Sequence, residues 1–282
     1  MMRFIKIQII AIICFGISFQ SCTDVIDVDL NDGSPSLVIE ASIDWKKGTQ
    51  GNQQTIKLSM SSPYFDTNTT PVTGATVRVT NTHTKEVFNF TDQENGQYTV
   101  SDFLPIIDHT YVLNVQVNGE MYTATETFMP VPEFSRIEQS LEGGFDDEAL
   151  EVTFYFNDPE GISNYYLSSF QAESDLFPLF SDFSDEFTDG NEIFNFYEKE
   201  TGDSDDEAFV SGDKVRINLY GISEQYYNYM QLLLEQYNSD GDPFSAIPAK
   251  LKGNCINSTN PSVAVFGYFR LTEFVEDTYV FE

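Results

Sequence analysis

Histidine and cysteine are scarce in this chain, and no residue stands in a recognisable catalytic spacing. The chain contains two histidines, the side chain that most often serves as a general base near neutral pH. His83 lies in a polar turn and His109 precedes a predicted strand, and neither has a companion His, Cys or Glu at metal-ligand spacing. Gly-x-Ser-x-Gly, His-Glu-x-x-His and the phosphate-binding glycine loop are all absent from the sequence. The sequence therefore predicts a protein that is not an enzyme.

Acidic residues are the most abundant side chains that could act in catalysis or bind a metal ion. The chain has 45 Asp and Glu against 14 Lys and Arg, a formal net charge of −31, which repels nucleic acid and anionic lipid headgroups. Two facing carboxylates can hydrolyse a glycosidic bond, but among so many acids no pair stands out. Oxygen-rich acidic loops also bind calcium. Calcium is the one candidate ion, and its candidate ligands are Asp203, Asp205 and Asp206 in one loop and Asp240 and Asp242 in another.

The first 22 residues indicate export and lipid attachment. Two basic residues precede an apolar run over residues 7–17, which is shorter than the roughly 20 residues of a membrane-spanning helix and typical of a secretory signal. Ser21 stands directly before Cys22, an arrangement that resembles the lipobox of bacterial lipoproteins. We expect residues 1–21 to be removed as a signal peptide and Cys22 to carry a lipid anchor. The alternative is ordinary cleavage nearby with Cys22 as a free thiol, and Cys255 is predicted to be a small residue in or near a core.

Residues 22–35 are predicted to form a short acidic tether between the lipid and the folded part of the chain. Acidic residues soon after a lipidated cysteine resemble the surface-export signal of one phylum of Gram-negative bacteria. The alternative is a solvated spacer that has no role in targeting the protein to the cell surface. Both interpretations place the folded part outside the cytoplasm.

Residues 36–130 show the period-two alternation of half-buried antiparallel strands. In one such segment Ile56, Leu58 and Met60 share a face, and Asn118-Gly119 is a two-residue hairpin turn. The seven predicted strands cover residues 37–43, 55–60, 75–79, 87–90, 98–100, 111–117 and 122–128. Seven strands in roughly 95 residues predict an immunoglobulin-like β-sandwich.

Residues 131–282 are predicted to form a second β-rich domain with one amphipathic helix, so that the chain as a whole is mainly β. Two prolines within residues 129–132 force extended backbone and mark the boundary. Strands are predicted over residues 150–156, 165–170, 215–219, 263–271 and 274–281. Ser223 is the predicted N-cap of a helix over about residues 223–237, whose apolar stripe should pack across the second sheet.

Exposed aromatic side chains are the candidate partner or ligand surface. Phe180, Phe183 and Phe187 recur at helical spacing within an acidic insertion over about residues 175–206, which predicts a short amphipathic helix. Its phenylalanines either dock on a partner or fill the core of their own domain. Trp45, the single tryptophan, is either an exposed recognition aromatic or a partly buried loop anchor.

Several short stretches, spread in order along the chain, together resemble one family of bacterial proteins. They are Cys22 with residues 25–30, then residues 37–40, 56–59, 62–65, 71–77, 129–132 and 265–268. This pattern is similar to domain-of-unknown-function family 4249, and the insertion after Asp175 departs from it. The resemblance implies an outer-membrane lipoprotein of the kind found beside TonB-dependent transporters, without defined catalytic residues.

The sequence and the resemblance together lead us to expect a non-catalytic, surface-exposed outer-membrane lipoprotein. It would serve as a binding or accessory subunit of a TonB-dependent nutrient uptake complex, with a β-barrel transporter as partner and a glycan or peptide as a possible ligand. The alternatives are a cell-surface polysaccharide hydrolase and a structural or adhesive lipoprotein with calcium-stiffened loops.

Overall fold

The computed structural model describes residues 35–62, 68–146, 149–199, 208–238 and 251–282. Seven N-terminal strands lie close to their predicted positions, because alternate side chains of each are buried on one face. A further strand of two exposed residues, Thr70–Pro71, was not predicted. The N-terminal strands are β1 (Leu37–Lys46), β2 (Gln54–Met60), β3 (Thr70–Pro71), β4 (Thr76–Asn81), β5 (Val87–Asp92), β6 (Gln97–Val100), β7 (Thr110–Val117) and β8 (Glu120–Thr127). The turn between β7 and β8 has positive φ at Asn118 and Gly119, as the hairpin prediction required.

Strand β5 makes this part of the chain a sandwich. Its first residues pair with β4, whereas Thr91 and Asp92 pair with β6. The sheet therefore curls over at β5, and its two halves enclose one hydrophobic cluster that contains Ile39, Ile56 and Leu113.

The described residues of the second half add eight strands and one helix. They are β9 (Phe134–Ser140), β10 (Glu151–Asn157), β11 (Tyr165–Ala172), β12 (Leu179–Ser184), β13 (Glu192–Glu198), β14 (Lys214–Ile222), α1 (Glu224–Asn238), β15 (Ile256–Asn257) and β16 (Phe266–Val280). The mainly β fold class with one helix is thus confirmed. No helix within the described residues is long and apolar enough to cross a membrane.

The strands of the described residues form two sheets. The larger has the order β12-β11-β14-β16-β1-β2-β6-β5-β4-β7-β8-β15, with β3 beside β2, and the smaller has the order β13-β10-β9. The smaller sheet packs on the larger through a second cluster that includes Phe154, Phe156, Phe170 and Ile217. The outer side of the smaller sheet faces away from this cluster, which leaves its side chains available for other contacts.

Strand β16 joins the two halves. Its first part pairs in parallel with β1, and its second part pairs antiparallel with β14. The two predicted closing strands are therefore one continuous strand. It supplies Phe269 and Leu271 to the first cluster and Val275 to the second. The domain boundary predicted between residues 130 and 131 falls where the chain passes from one cluster to the other, and it stays a prediction.

Helix α1 begins where the sequence predicted. The Ser223 hydroxyl accepts a hydrogen bond from the backbone N–H of Tyr226 at 3.1 Å, which is an N-cap contact. Tyr226 and Met230 are buried and pack with Leu167 and Tyr268 of the larger sheet. The helix therefore covers one face of that sheet.

The helix predicted around Phe180, Phe183 and Phe187 is wrong, because the first two residues lie in strand β12. A spacing of three places Phe180 and Phe183 on opposite faces of a strand, and both faces are covered. Phe180 packs in the helix cluster, whereas Phe183 packs against the cluster under the smaller sheet. A strand that is partly covered on both sides thus has apolar residues at the spacing of a helix face.

Candidate functional site

The outer side of the smaller sheet carries a row of aromatic rings, here called the aromatic face and consisting of Phe145, Tyr155, Phe194 and Phe196. Tyr155 pairs with Phe194 across β10 and β13, and their ring centroids are 5.7 Å apart. Phe145 lies over Phe196 at 5.3 Å. Phe145 is 91% exposed and Phe194 is 59% exposed. Large apolar side chains that cluster on a surface in this way mark interaction sites.

Alternation along the strands explains why these rings point outward. Phe154, Phe156 and Ile193 face the core, so Tyr155 and Phe194 must face the other side. The loop that carries Phe145 is fixed to the sheet, because its backbone N–H donates to Glu198 Oε2 at 2.7 Å. Three of the four rings are therefore presented by strands, and the fourth is presented by a loop that is hydrogen-bonded to β13.

Arg136 completes one end of the aromatic face. Its guanidinium carbon lies 3.4 Å from the centre of the Tyr155 ring, which is a cation–π contact. The same guanidinium forms a 2.6 Å ion pair with Glu192, and this pair lowers the pKa of Glu192 below its ordinary value. The face thus combines apolar rings with a charged hydrogen-bonding edge, which suits a ligand that has both apolar and polar surface.

A second cluster of functional groups lies at one end of the smaller sheet. One carboxylate oxygen each of Asp158, Asp185 and Asp189 lies within 4.8 Å of the others. These residues, here called the three-aspartate cluster, follow β10 and β12 or precede β13. Asp158 and Asp185 are buried, and Asp189 is exposed. Burial raises the pKa of Asp185, and the neighbouring carboxylates Asp158 and Asp189 raise it further.

A buried polar network lies beneath the start of helix α1. Glu126 of β8 accepts hydrogen bonds from the hydroxyls of Ser223 at 3.0 Å and Tyr268 at 3.1 Å. Burial raises the pKa of Glu126, although these two hydroxyls and the Thr127 N–H oppose the rise. The network connects the helix cap to β8 and β16, and it is a structural junction with no open surface.

The predicted partner surface is dispersed in the structure. Phe180 and Phe183 pack in cores, as described above, and only Phe187 is open to solvent, at 91% exposure. Trp45 lies at the end of β1 and packs against the first cluster, and its indole N–H donates to the Thr49 carbonyl at 2.9 Å. Of the two interpretations of Trp45, the structure therefore supports the partly buried anchor and not the exposed recognition aromatic. These four residues do not form one surface.

The remaining residues singled out in the sequence are the cysteines, the calcium candidates and the histidines. Cys22 and the calcium candidates Asp203, Asp205, Asp206, Asp240 and Asp242 lie outside the described residues. Cys255 is buried, as predicted, and burial raises its pKa to about 12. The fold brings His83 and His109 together with ring centroids 4.5 Å apart. Their separation along the chain gave no sign of this contact.

Sequence reasoning missed both the aromatic face and the three-aspartate cluster. The alternation of Phe194 and Phe196 is typical of a strand, but it does not say which face of that strand is open. Asp158 lies in a stretch with proline and glycine over residues 157–161, which is typical of a turn, and its partners are 27 and 31 positions further along the chain. The one local signal was the glycine-containing turns that adjoin Asp158 and Asp189.

Comparison with known proteins gives a family and remote structural neighbours. A family model described as "Domain of unknown function (DUF4249)" matches residues 23–276. No curated protein matches the chain.

Two solved structures are among those that resemble the chain. The FN1-FN3 domains of chicken CNTN1 are 12% identical with a TM-score of 0.27, and the match covers 66% of this chain and 62% of that one. A DUF4785 family protein from Legionella pneumophila is 10% identical with a TM-score of 0.27, and the match covers 64% of this chain and 51% of that one. The chain therefore spans less than two thirds of either structure.

Proposed function

Because the chain belongs to the DUF4249 family, which its residues 23–276 match, we propose that it is a non-catalytic lipoprotein that binds other molecules at the surface of the outer membrane. In this proposal the lipid is carried by Cys22, and the folded part acts as a binding or accessory subunit of a TonB-dependent uptake complex. The partner is a β-barrel transporter.

The aromatic face is the observation that carries the proposal. An apolar surface of this kind is costly to leave in water unless a partner covers it. Aromatic and arginine side chains are also the residues that contribute most binding energy in protein interfaces. Phe145, Tyr155 and Phe194 with Arg136 supply this combination on one sheet and its adjoining loop. The same rings could stack on the sugar rings or the aromatic side chains of a cargo.

The N-terminal sequence supports the location. The short apolar run and the Ser21-Cys22 pair resemble a lipoprotein signal, and the acidic residues that follow resemble a surface-export signal. The net charge of −31 opposes direct contact between the folded part and anionic lipid headgroups. Attachment through a lipid on a tether is consistent with such a charge.

The experiment is purification from the native membrane in mild detergent after brief cross-linking. The test variant is the double substitution Phe145→Ser and Phe194→Ser. The control is Phe187→Ser, since Phe187 has the same 91% exposure as Phe145 but lies outside the aromatic face. Both variants should stay within about 0.5 kcal/mol of the wild-type unfolding free energy, because they change surface side chains.

We expect a β-barrel transporter with the wild type and with the control, and at least about tenfold less of it with the double variant. Repeated recovery of the wild type without a β-barrel protein would count against the accessory role. Equal recovery with the double variant would show that the aromatic face is not the contact surface. Mass spectrometry of the processed N-terminus tests the lipid separately, and an unmodified Cys22 would refute the anchor.

A further inference from the structure

The three-aspartate cluster concentrates negative charge at a place where the fold offers little to neutralise it. Asp158 is 5% exposed and Asp185 is 3% exposed, and like charges this close repel strongly when they are shielded from water. None of the ion pairs formed by Lys or Arg of the described residues involves Asp158, Asp185 or Asp189. The cluster therefore needs a positive charge or a proton from elsewhere.

Hydrogen bonds fix the carboxylates of the cluster in position. Asp158 accepts from the Tyr166 hydroxyl at 2.5 Å and from the Gly190 N–H at 3.0 Å. Asp189 accepts from the Gly161 N–H at 2.8 Å. Donors that hold a ligand in place from behind are typical of metal sites, and each accepting oxygen keeps a second lone pair.

The side chain of Asn164 is a second observation, independent of the aspartates, that points to a bound ligand. Asn164 is 6% exposed, and its side-chain oxygen Oδ1 is buried without a hydrogen-bond partner. Its backbone N–H donates to Asp185 Oδ2 at 2.8 Å, and its carbonyl accepts from the Asp185 N–H at 3.2 Å. Covalent geometry keeps Oδ1 within about 5 Å of its own backbone nitrogen. This unpaired acceptor therefore lies within about 8 Å of Asp185 Oδ2. A buried acceptor without a donor calls for a bound water or ion.

We propose that the three-aspartate cluster and the side-chain oxygen of Asn164 bind one divalent cation of the calcium class. Carboxylate and amide oxygens are the ligands of hard cations, and calcium accepts six to eight of them in flexible geometry. Zinc is disfavoured because the cluster contains no His or Cys. This site differs from the calcium candidates found in the sequence.

The cation would add a further link between two turns that hydrogen bonds already connect. It links the turn after β10, which carries Asp158, to the turn between β12 and β13, which carries Asp185 and Asp189. These two turns lie at one end of the sheet that bears the aromatic face. The second turn also carries the exposed Phe187.

The test is calcium binding to the purified full-length chain by calorimetry, after removal of metals with a chelator. The test variant is Asp189→Asn, which removes one charge from an exposed position and so should leave the fold intact. The matched control is Asp102→Asn, an exposed aspartate of the N-terminal half. Tyrosine-excited terbium emission provides a second measurement on the unsubstituted protein, because the Tyr166 hydroxyl touches Asp158.

We expect one saturable calcium site, terbium emission that calcium quenches by competition, and a melting temperature that rises with calcium concentration. Asp189→Asn should weaken calcium binding by about tenfold or more, whereas Asp102→Asn should not change it. Absence of saturable binding and of terbium emission at millimolar concentration would overturn the proposal. Binding of equal affinity in wild type and Asp189→Asn would also overturn it, since the ion would then occupy another site.

Discussion

Gly267 should be one of the least replaceable residues of the chain, because strand β16 passes close to two other backbones there. Gly267 has a φ of +89° and pairs with Ile39 of β1. A Cβ at this position would overlap the carbonyl oxygen of Ile39 and lie 3.0 Å from its backbone nitrogen. Gly253 lies on another side, where its own Cβ would overlap the Gly267 carbonyl.

The size of the effect follows from two contributions. The left-handed backbone conformation costs an alanine about 1–2 kcal/mol, and forcing an extra carbon into a packed site costs about 1–3 kcal/mol. Gly267→Ala should therefore lower the free energy of unfolding by about 2–5 kcal/mol. For a chain of this size the melting temperature should fall by about 10 °C.

Urea denaturation followed by circular dichroism measures this difference, and Gly74→Ala separates its two contributions. Gly74 also has a positive φ, of +74°, but no atom lies within 4 Å of the place where its Cβ would be. It should lose only the conformational part, about 1 kcal/mol. If Gly267→Ala were no more destabilising than Gly74→Ala, the close parallel contact between β1 and β16 would be refuted.

Three further predictions concern buried polar groups. Ser223→Ala removes the cap of α1 and a donor to Glu126, and it should cost about 1 kcal/mol in urea denaturation; no measurable change would argue against the cap. Since burial raises the folded-state pKa of Glu126, the stability it contributes rises as the pH falls through that pKa and levels off below the unfolded value. The melting temperature of the wild type relative to Glu126→Gln should therefore increase between about pH 7 and about pH 5, and a pH-independent difference would contradict this. With its pKa raised to about 12, the Cys255 thiol should resist a disulfide reagent at about pH 8 until urea unfolds the chain, and rapid labelling of the native protein would contradict its burial.

Local sequence patterns were sufficient to predict a strand or helix wherever one of its faces is buried and the other is exposed to solvent. The alternation of Ile56 and Leu58 predicted β2, and Ser223 predicted the start of α1, because these signals depend on neighbours a few positions away. The acidic composition, the low cysteine count and the lack of catalytic spacings likewise needed only the sequence. These features determined the mainly β class and the expectation of a binding protein.

The tertiary structure decided what depends on residues far apart in the chain. Phe180 and Phe183 were assigned to a helix because a strand covered on both faces loses its period of two. The parallel pairing of β1 with β16 joins segments more than 200 residues apart, and no local pattern encodes it. For the same reason only the fold could bring Asp158 to Asp185, or leave Phe194 on the open side of its sheet. Periodicity reports how a segment is buried, whereas a site depends on which segments become neighbours.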